Sequence, residues 1–384
     1  MFLLSTVAVL IALAAAPSPP SVKGARKTTS RAPIFMFSSR ERGVAPARMR
    51  FRCAFDSTRL HACRRRYSQR LAVGRHLLRV QAVDPRGRRS RVAAVRIMIL
   101  APLPALLRPD ATIPVGVRPI GLAFGADAVW AVNFGGDSVT RIDPTSNRVA
   151  ATIELGGQPY GAAYGAGSLW VGDIANGTVS RIDPSSNTVG KITLGGEELT
   201  PAVGFGSVWF PNFRGGLLSR IDPASNAVVA TIPLSGNPEC AAIGPDSVWV
   251  SNEDGSVERV DPATNAVVAR IPVPADPDYL AVDDSGTVWV TSLERPAVSR
   301  IDPATNRIAG TVSVAAGTQG IAIAAGSVWV GNYNRGTVVR IDPTTLAVTA
   351  RYQVGARARQ LAVGAGSLWV ANEGSNTISR IVLR

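Results

Sequence analysis

From about residue 119 to the end, apolar and polar positions recur with a period near 40. The seven Trp mark it most plainly, at 130, 170, 209, 249, 289, 329 and 369, with spacings of 40, 39, 40, 40, 40 and 40. No Trp lies off this ladder. One full unit, residues 158–195, reads QPYGAAYGAGSLWVGDIANGTVSRIDPSSNTVGKITLG. It holds alternating apolar runs of strand length, as at Gly161–Gly165, Ser168–Val171 and Thr178–Asp183. A fourth run is clearest at Val228–Leu234. Alternation with β-branched enrichment predicts strands, and the Gly- and Asn-rich joints predict turns. The recurrent Asp-Pro-x-Thr/Ser-Asn, as at Asp143–Asn147 and Asp302–Asn306, carries its own turn chemistry. The Asp side chain accepts from the backbone, Pro presets φ, and Asn tolerates the left-handed region.

Four short strands every 40 residues describe the blade of a β-propeller, and seven repeats predict seven blades over residues 111–384. The last unit stops at Arg380–Arg384, after its third strand. The missing strand is expected at the front, where Ala111-Thr-Ile-Pro-Val115 matches Ala230–Leu234. Pairing of 111–115 with 377–382 closes the ring and removes its open edges.

Ahead of the repeats the pattern changes. Met49–Phe55 and His76–Val83 alternate, and Asp84-Pro-Arg-Gly87 is a turn signal. This predicts a small β-sandwich over 33–100, so the whole chain reads as all-β. Residues 101–110 are expected as a Pro-stiffened linker and 21–32 as another. Phe2–Ala16 is an uncharged apolar run followed by Pro-Ser-Pro-Pro, with Ala14 and Ala16 spaced as in a cleavage site. It is short for a membrane span and suits a signal peptide over 1–20, with an uncleaved membrane anchor as the alternative, and no Lys or Arg precedes it. The protein is therefore expected to be secreted or held at the cell envelope. Cys53 and Cys63, ten apart within one β unit, are expected to pair in that compartment. Cys240 stands alone in an apolar stretch and reads as buried.

The repeat units resemble YVTN-type and NHL-like propeller repeats, and those of streptogramin (virginiamycin B) lyases, over about 115–384. The first β unit is similar to bacterial Ig-like domains in Phe35-Met-Phe-Ser-Ser, Phe51-Arg-Cys-Ala-Phe-Asp56, Cys63, Tyr67, Gly74-Arg-His76 and Ala82-Val-Asp84. In that family the two Cys pair and the module is a spacer or adhesive domain. The Arg64-Arg-Arg66 run departs from it. The lyase resemblance implies His, Glu and a magnesium ion acting on a C–O bond. Yet the only His are His61 and His76, both ahead of the repeats. No repeat residue can take the His role, which disfavours the lyase activity.

The net charge of +14 is unevenly placed. Residues 1–110 hold 22 Lys and Arg but only Glu41, Asp56, Asp84 and Asp110, a net of +18, whereas the repeats are net −4. A polyanionic partner such as an envelope polymer is therefore expected only at the N-terminal unit, around Arg64–Arg66, Arg86, Arg88, Arg89 and Arg91. An exported chain without base-stacking aromatics there does not favour nucleic acid.

Positions repeated in every unit read as structure: the Trp as core between blades, the Asp of each Asp-Pro as a turn cap. Function is expected where the units differ. The slot opening each innermost strand holds Ile120, Tyr160, Leu199, Glu239, Asp278, Gln319 and Arg359. The loop after each second strand begins with Phe134, Ile174, Phe213, Glu253, Leu293, Tyr333 and Glu373. Both sets are expected at one mouth of the central channel. Tyr160, Glu239, Asp278, Gln319, Arg359, Phe134, Phe213 and Tyr333 are the candidate ligand-binding residues. No catalytic residue, metal site or cofactor is assigned, and a closed ring requires no oligomer. The reading is a non-enzymatic binding protein presenting the mouth to a ligand or protein partner. The enzyme alternative is a lyase or hydrolase using Glu239 and Asp278.

Overall fold

The computed structural model describes residues 16–40, 44–99, 104–197, 199–274 and 276–383. Apart from Ala16, the apolar run expected as an export signal lies outside the described residues. The chain divides into two compact units, Met1–Leu103 and Pro104–Arg384.

In the second unit, six consecutive antiparallel hairpin sets cover residues 119–154, 159–193, 202–233, 238–272, 277–313 and 318–353, four strands each. The strands over 358–382 form a three-stranded set, and Ala111–Pro114 completes it. That strand runs antiparallel to Thr377–Val382, with Ala111 opposite Arg380 and Pro114 opposite Thr377. First strands of successive sheets touch, and the first strand of the last sheet touches that of the first. The sheets thus form a ring, and this all-β arrangement is that of a β-propeller.

The repeat text explains what joins the sheets. Each Trp sits on a second strand and is at most 2% exposed. Directly across the hairpin lies an Arg, as Trp130 faces Arg141 and Trp369 faces Arg380. The guanidinium lies over the indole, 5.2 Å from the ring centroid in the first case and 5.1 Å in the last. It then reaches out of its own sheet. Arg181 Nη1 donates to the Asn226 Oδ1 of the next sheet's Asp-Pro turn at 2.7 Å, and Arg220 Nη1 donates to Pro262 O and Asn265 Oδ1 at 2.7 and 2.9 Å. Arg259 and Arg380 make the same pair of bonds, the latter to Pro144 O and Asn147 Oδ1. Arg300, whose target turn has Leu346 in place of Asn, donates only to Pro343 O, at 3.1 Å. The turn Asn has a second purpose besides its φ, which is 57° at Asn147: it catches the neighbouring sheet. Arg340 has no following Asp-Pro turn in the last sheet and keeps only the bond from Nε to Ser327 Oγ, which Arg181, Arg220, Arg259 and Arg380 make to their own Ser as well.

Two expected linkers contain strands. In 101–110, Leu106–Leu107 pairs in parallel with Arg351 and Tyr352, adding a fifth strand to the sixth sheet. In 21–32, Ser21–Lys23 pairs with Phe37 and its neighbours, and Lys27–Thr28 runs parallel to Met98 and Ile99. Segments of two or three residues are too short to show alternation, so the pairing comes from neighbouring sheet edges rather than from their own pattern.

The first unit is a sandwich of a three-stranded and a five-stranded sheet. Between them Phe35, Phe37, Phe51, Leu78, Val80 and Ile97 are buried. Cys53 and Cys63, on adjacent strands, are joined by a disulfide with Cα atoms 5.9 Å apart. Cys240, in the second unit, is buried, which pushes its thiol pKa up to about 12.

Candidate functional site

The slots that open the innermost strands converge electrostatically. Tyr160, Glu239, Asp278 and Arg359 come from four different sheets, yet the charge of Arg359 reaches the other three, and that of Asp278 reaches Tyr160 and Glu239. Arg359 is the hub. Its Nη2 donates to the Tyr160 hydroxyl at 2.5 Å, and its guanidinium carbon lies 5.2 Å from the Tyr160 ring centroid. Its Nη1 donates to Glu373 Oε2 at 3.1 Å. Burial opposes the Arg359 charge, but Tyr160, Tyr279, Asp278 and Glu373 around it outweigh burial and raise its pKa.

Glu373 is the anchor. It is 2% exposed and receives Arg118 Nη2 at 2.9 Å as well as Arg359, with Arg357 Nη1 at 3.8 Å. Burial would raise its pKa, and the hydrogen bonds and charges of Arg118 and Arg359 reverse that, holding it low. A buried carboxylate with this many cationic partners stays ionised.

The acidic side behaves oppositely. Burial, with Asp278, Glu253 and Asp276 nearby, pushes Glu239 up to about 8. Burial also raises Asp278 to about 6, against the attraction of Arg359 and a hydrogen bond from Gln319. Tyr160 is pushed up to about 12, mainly by burial. Here are carboxyls without a cation of their own, beside an Arg already committed to Glu373 and Tyr160. Three buried polar atoms of this cluster have no hydrogen-bond partner: Asp278 Oδ2, Gln319 Oε1 and Arg359 Nε. Buried polar groups left so are uncommon and point to an occupant or water.

The apolar side is partly assembled. Phe134 meets Tyr160 edge-on at 6.3 Å between centroids, and Arg118 lies 4.8 Å over the Phe134 ring. Tyr333 has Arg357 at 5.6 Å and is tied through it to Glu373. Phe213, half-buried on the Glu197 loop, joins none of these contacts among the described residues. Ile120 and Leu199 are buried at 2% and 6% exposure and offer the ring no polar group. Missing from the candidate set are Tyr279, Arg118, Arg357 and Glu373. Glu373 occupies the same loop slot as Phe134 and Tyr333, so a search for the partner of Arg359 would have found it. Tyr279 follows Asp278 where the other sheets have Gly121, Gly161, Thr200, Cys240, Gly320 and Gln360; the one aromatic residue at this slot was its signal.

Among the described residues no group of three His, Cys, Asp or Glu gathers as a metal site. With no His beyond His76, the donor set does not fit the His, Glu and magnesium arrangement that the lyase resemblance implies.

Fold and site together define a β-propeller protein with a charged polar cluster where the innermost strands begin. No family model matches the chain, and neither does any curated protein. Among solved structures, it is similar to hydrazine synthase from Kuenenia stuttgartiensis, with a TM-score of 0.62 and 16% identity over 72% of this chain and 97% of that one. It is also similar to virginiamycin B lyase from Staphylococcus aureus, with a TM-score of 0.64 and 14% identity over 71% of this chain and 99% of that one. At these identities the likeness is one of fold alone.

Proposed function

We propose that the chain is an exported binding protein: a seven-bladed propeller whose channel mouth takes a small ligand bearing an ammonium group, preceded by an Ig-like module. The observation that carries this reading is the cluster of Glu239, Asp278 and Gln319 with two unpartnered acceptor oxygens, Asp278 Oδ2 and Gln319 Oε1. An ammonium group supplies three donors and the positive charge these carboxyls lack. The ring of Tyr160, held by Arg359 and Phe134, gives the ligand's apolar part a rigid wall. Because the ligand favours the ionised carboxyls, binding near neutral pH releases protons.

Calorimetry of the full chain with putrescine, and with butanediol as the uncharged analogue, tests this. Binding of the diamine alone, with proton release into buffer and loss in Asp278→Asn, supports the reading. Equal heats for diamine and diol, or an unchanged Asp278→Asn, overturn it.

One observation favours a second reading. A carboxyl titrating at about 8 beside one at about 6 is suited to general acid–base work. Ring opening of a cyclic depsipeptide lactone above the buffer rate, lost in Glu239→Gln, would establish that chemistry in place of simple binding.

A further inference from the structure

The outer face of the five-stranded sheet in the first unit carries a second feature, independent of the ring. Along Gly74–Val83 the inward positions Leu78, Val80 and Ala82 are buried, so Arg75, Leu77, Arg79 and Gln81 point outward. On the neighbouring strand Met98 lies opposite Arg75, Arg96 opposite Leu77 and Ala94 opposite Arg79. The sheet is extended by the segment carrying Arg26, whose carbonyl accepts the Met98 N–H at 2.8 Å. Arg26, Arg75 and Arg96, with Leu77 and Met98, line an open groove of about 700 Å³.

Like charges so close on a sheet face disfavour one another. Among the described residues the unit's acids, Asp56 and Asp84, are engaged by other partners. Asp56, which also borders the groove, is held by His76 Nδ1 at 2.5 Å and by the Leu77 N–H at 2.7 Å. Asp84 is held by Arg88 Nε at 2.7 Å. Among the described residues Arg26, Arg75 and Arg96 have no acidic partner, whereas Arg52 and Arg79 on the same sheet are satisfied by the carbonyls of Leu60 and Ser57.

We propose that this groove binds a linear polyphosphate chain, with Arg26, Arg75 and Arg96 each gripping phosphate oxygens. The guanidinium fork matches phosphate geometry in two-point contacts. A polyphosphate carries its charges in the backbone itself, so successive groups can approach a sheet face closely. Besides Leu77 and Met98 the lining has one aromatic ring, that of His76, which is 11% exposed and hydrogen-bonded through both nitrogens, so bases have no free ring on which to stack, which argues against single-stranded nucleic acid. The arginines that the sequence singles out, Arg64–Arg66, Arg86, Arg88, Arg89 and Arg91, all lie outside this groove, and Arg64, Arg86 and Arg91 are among the exposed ones.

The full chain is titrated with sodium polyphosphate, following anisotropy of a fluorescent label. The expected result is binding that weakens steeply with salt, as counterion release requires. The triple variant Arg26→Gln, Arg75→Gln, Arg96→Gln should bind at least ~10-fold more weakly, because three phosphate contacts are lost. The control Arg64→Gln, Arg86→Gln, Arg91→Gln removes the same net charge and should change affinity less than ~3-fold. The triple Arg→Lys variant of the groove keeps the charge and should fall between, which separates loss of the fork from misfolding. Equal weakening in both Gln triples overturns the proposal, since net charge alone would then explain it. So does preference for polyglutamate, single-stranded DNA or anionic vesicles over polyphosphate.

Discussion

Arg380, on the last strand of the ring, donates from Nη1 to Asn147 Oδ1 in the first sheet's turn at 2.9 Å, across a separation of 233 residues. With the bond to Pro144 O, this fastens the end of the chain to the start of the ring. Arg340 occupies the same place in the sixth sheet with no turn to reach. Replacing each with Met keeps packing on the Trp but removes the donors. Arg380→Met should cost about 1–3 kcal/mol, as for hydrogen bonds from a charged group, and Arg340→Met clearly less. Equilibrium unfolding in urea measures both, and equal losses would show that the turn contacts are energetically idle.

The Ala111–Pro114 strand supplies the outer strand of the last sheet. Ile113 is 4% exposed and packs with Ile378 and Trp369. Ile113→Asp buries a charge among them, a change that strongly destabilises. Thermal unfolding should broaden and fall well below that of the parent, whereas Thr112→Asp, at an exposed position of the same strand, should leave it nearly unchanged.

The ring carboxyls give the second unit a distinctive pH response. Glu239 titrates at about 8 rather than its usual 4.5, and Asp278 at about 6 rather than 3.8. Between those values the folded chain holds protons that the unfolded chain has released. Stability conferred by these groups therefore falls as pH rises from the carboxylate range toward 8. Glu239→Gln should raise the melting temperature at pH 8 by ~3 °C and leave it unchanged below pH 4.5. A variant that shifts the melting temperature equally at both pH values would show that Glu239 ionises normally.

His76 shifts stability with pH in the same direction, but because its charged form is favoured rather than its neutral one. The hydrogen bond that its ring donates to the Asp56 carboxylate, then the one it donates to the Ala72 carbonyl, raises its pKa above 6.5. The folded state gains from protonation, so this stabilisation is complete below pH 6.5 and is lost as pH rises through the folded value. NMR titration of the His76 ring should give the higher pKa, and Asp56→Asn should return it toward 6.5. Because Asp56 is about half exposed, the effect on stability is small.

Much of the ring was legible because one repeated pattern states it several times. The Trp ladder, the alternation and the Asp-Pro turns each recur, and a missing fourth strand at the C-terminus pointed to Ala111–Val115. The slot logic also placed Tyr160, Glu239, Asp278 and Arg359 within one electrostatic cluster. It did not place Phe213 there, because a loop side chain is positioned by its own turn and not by the strand period. The Arg reaching from each Trp to the next turn escaped notice for a different reason. It appears in sequence only as a recurrent Arg-Ile-Asp or Arg-Val-Asp, Arg-Ile-Val in the last unit, and its partner lies 45 residues away, as with Arg181 and Asn226. The short strands within 21–32 and 101–110 are set by the edges they join, and no local pattern announces them.

The parallel pairing of Leu106–Leu107 with Arg351–Tyr352 has a mechanical corollary. The chain leaving the first unit meets the ring on the sixth sheet, whose Arg340 has no turn to hook, and then passes to the closing strand. The segment from Leu106 to Pro114 therefore spans the joint between the sixth and last sheets, where Arg340 donates to no turn. Continuous chain thus crosses the one joint where an Arg-to-turn hydrogen bond is missing among the described residues, so the strap and the hydrogen bonds divide the work of holding the ring.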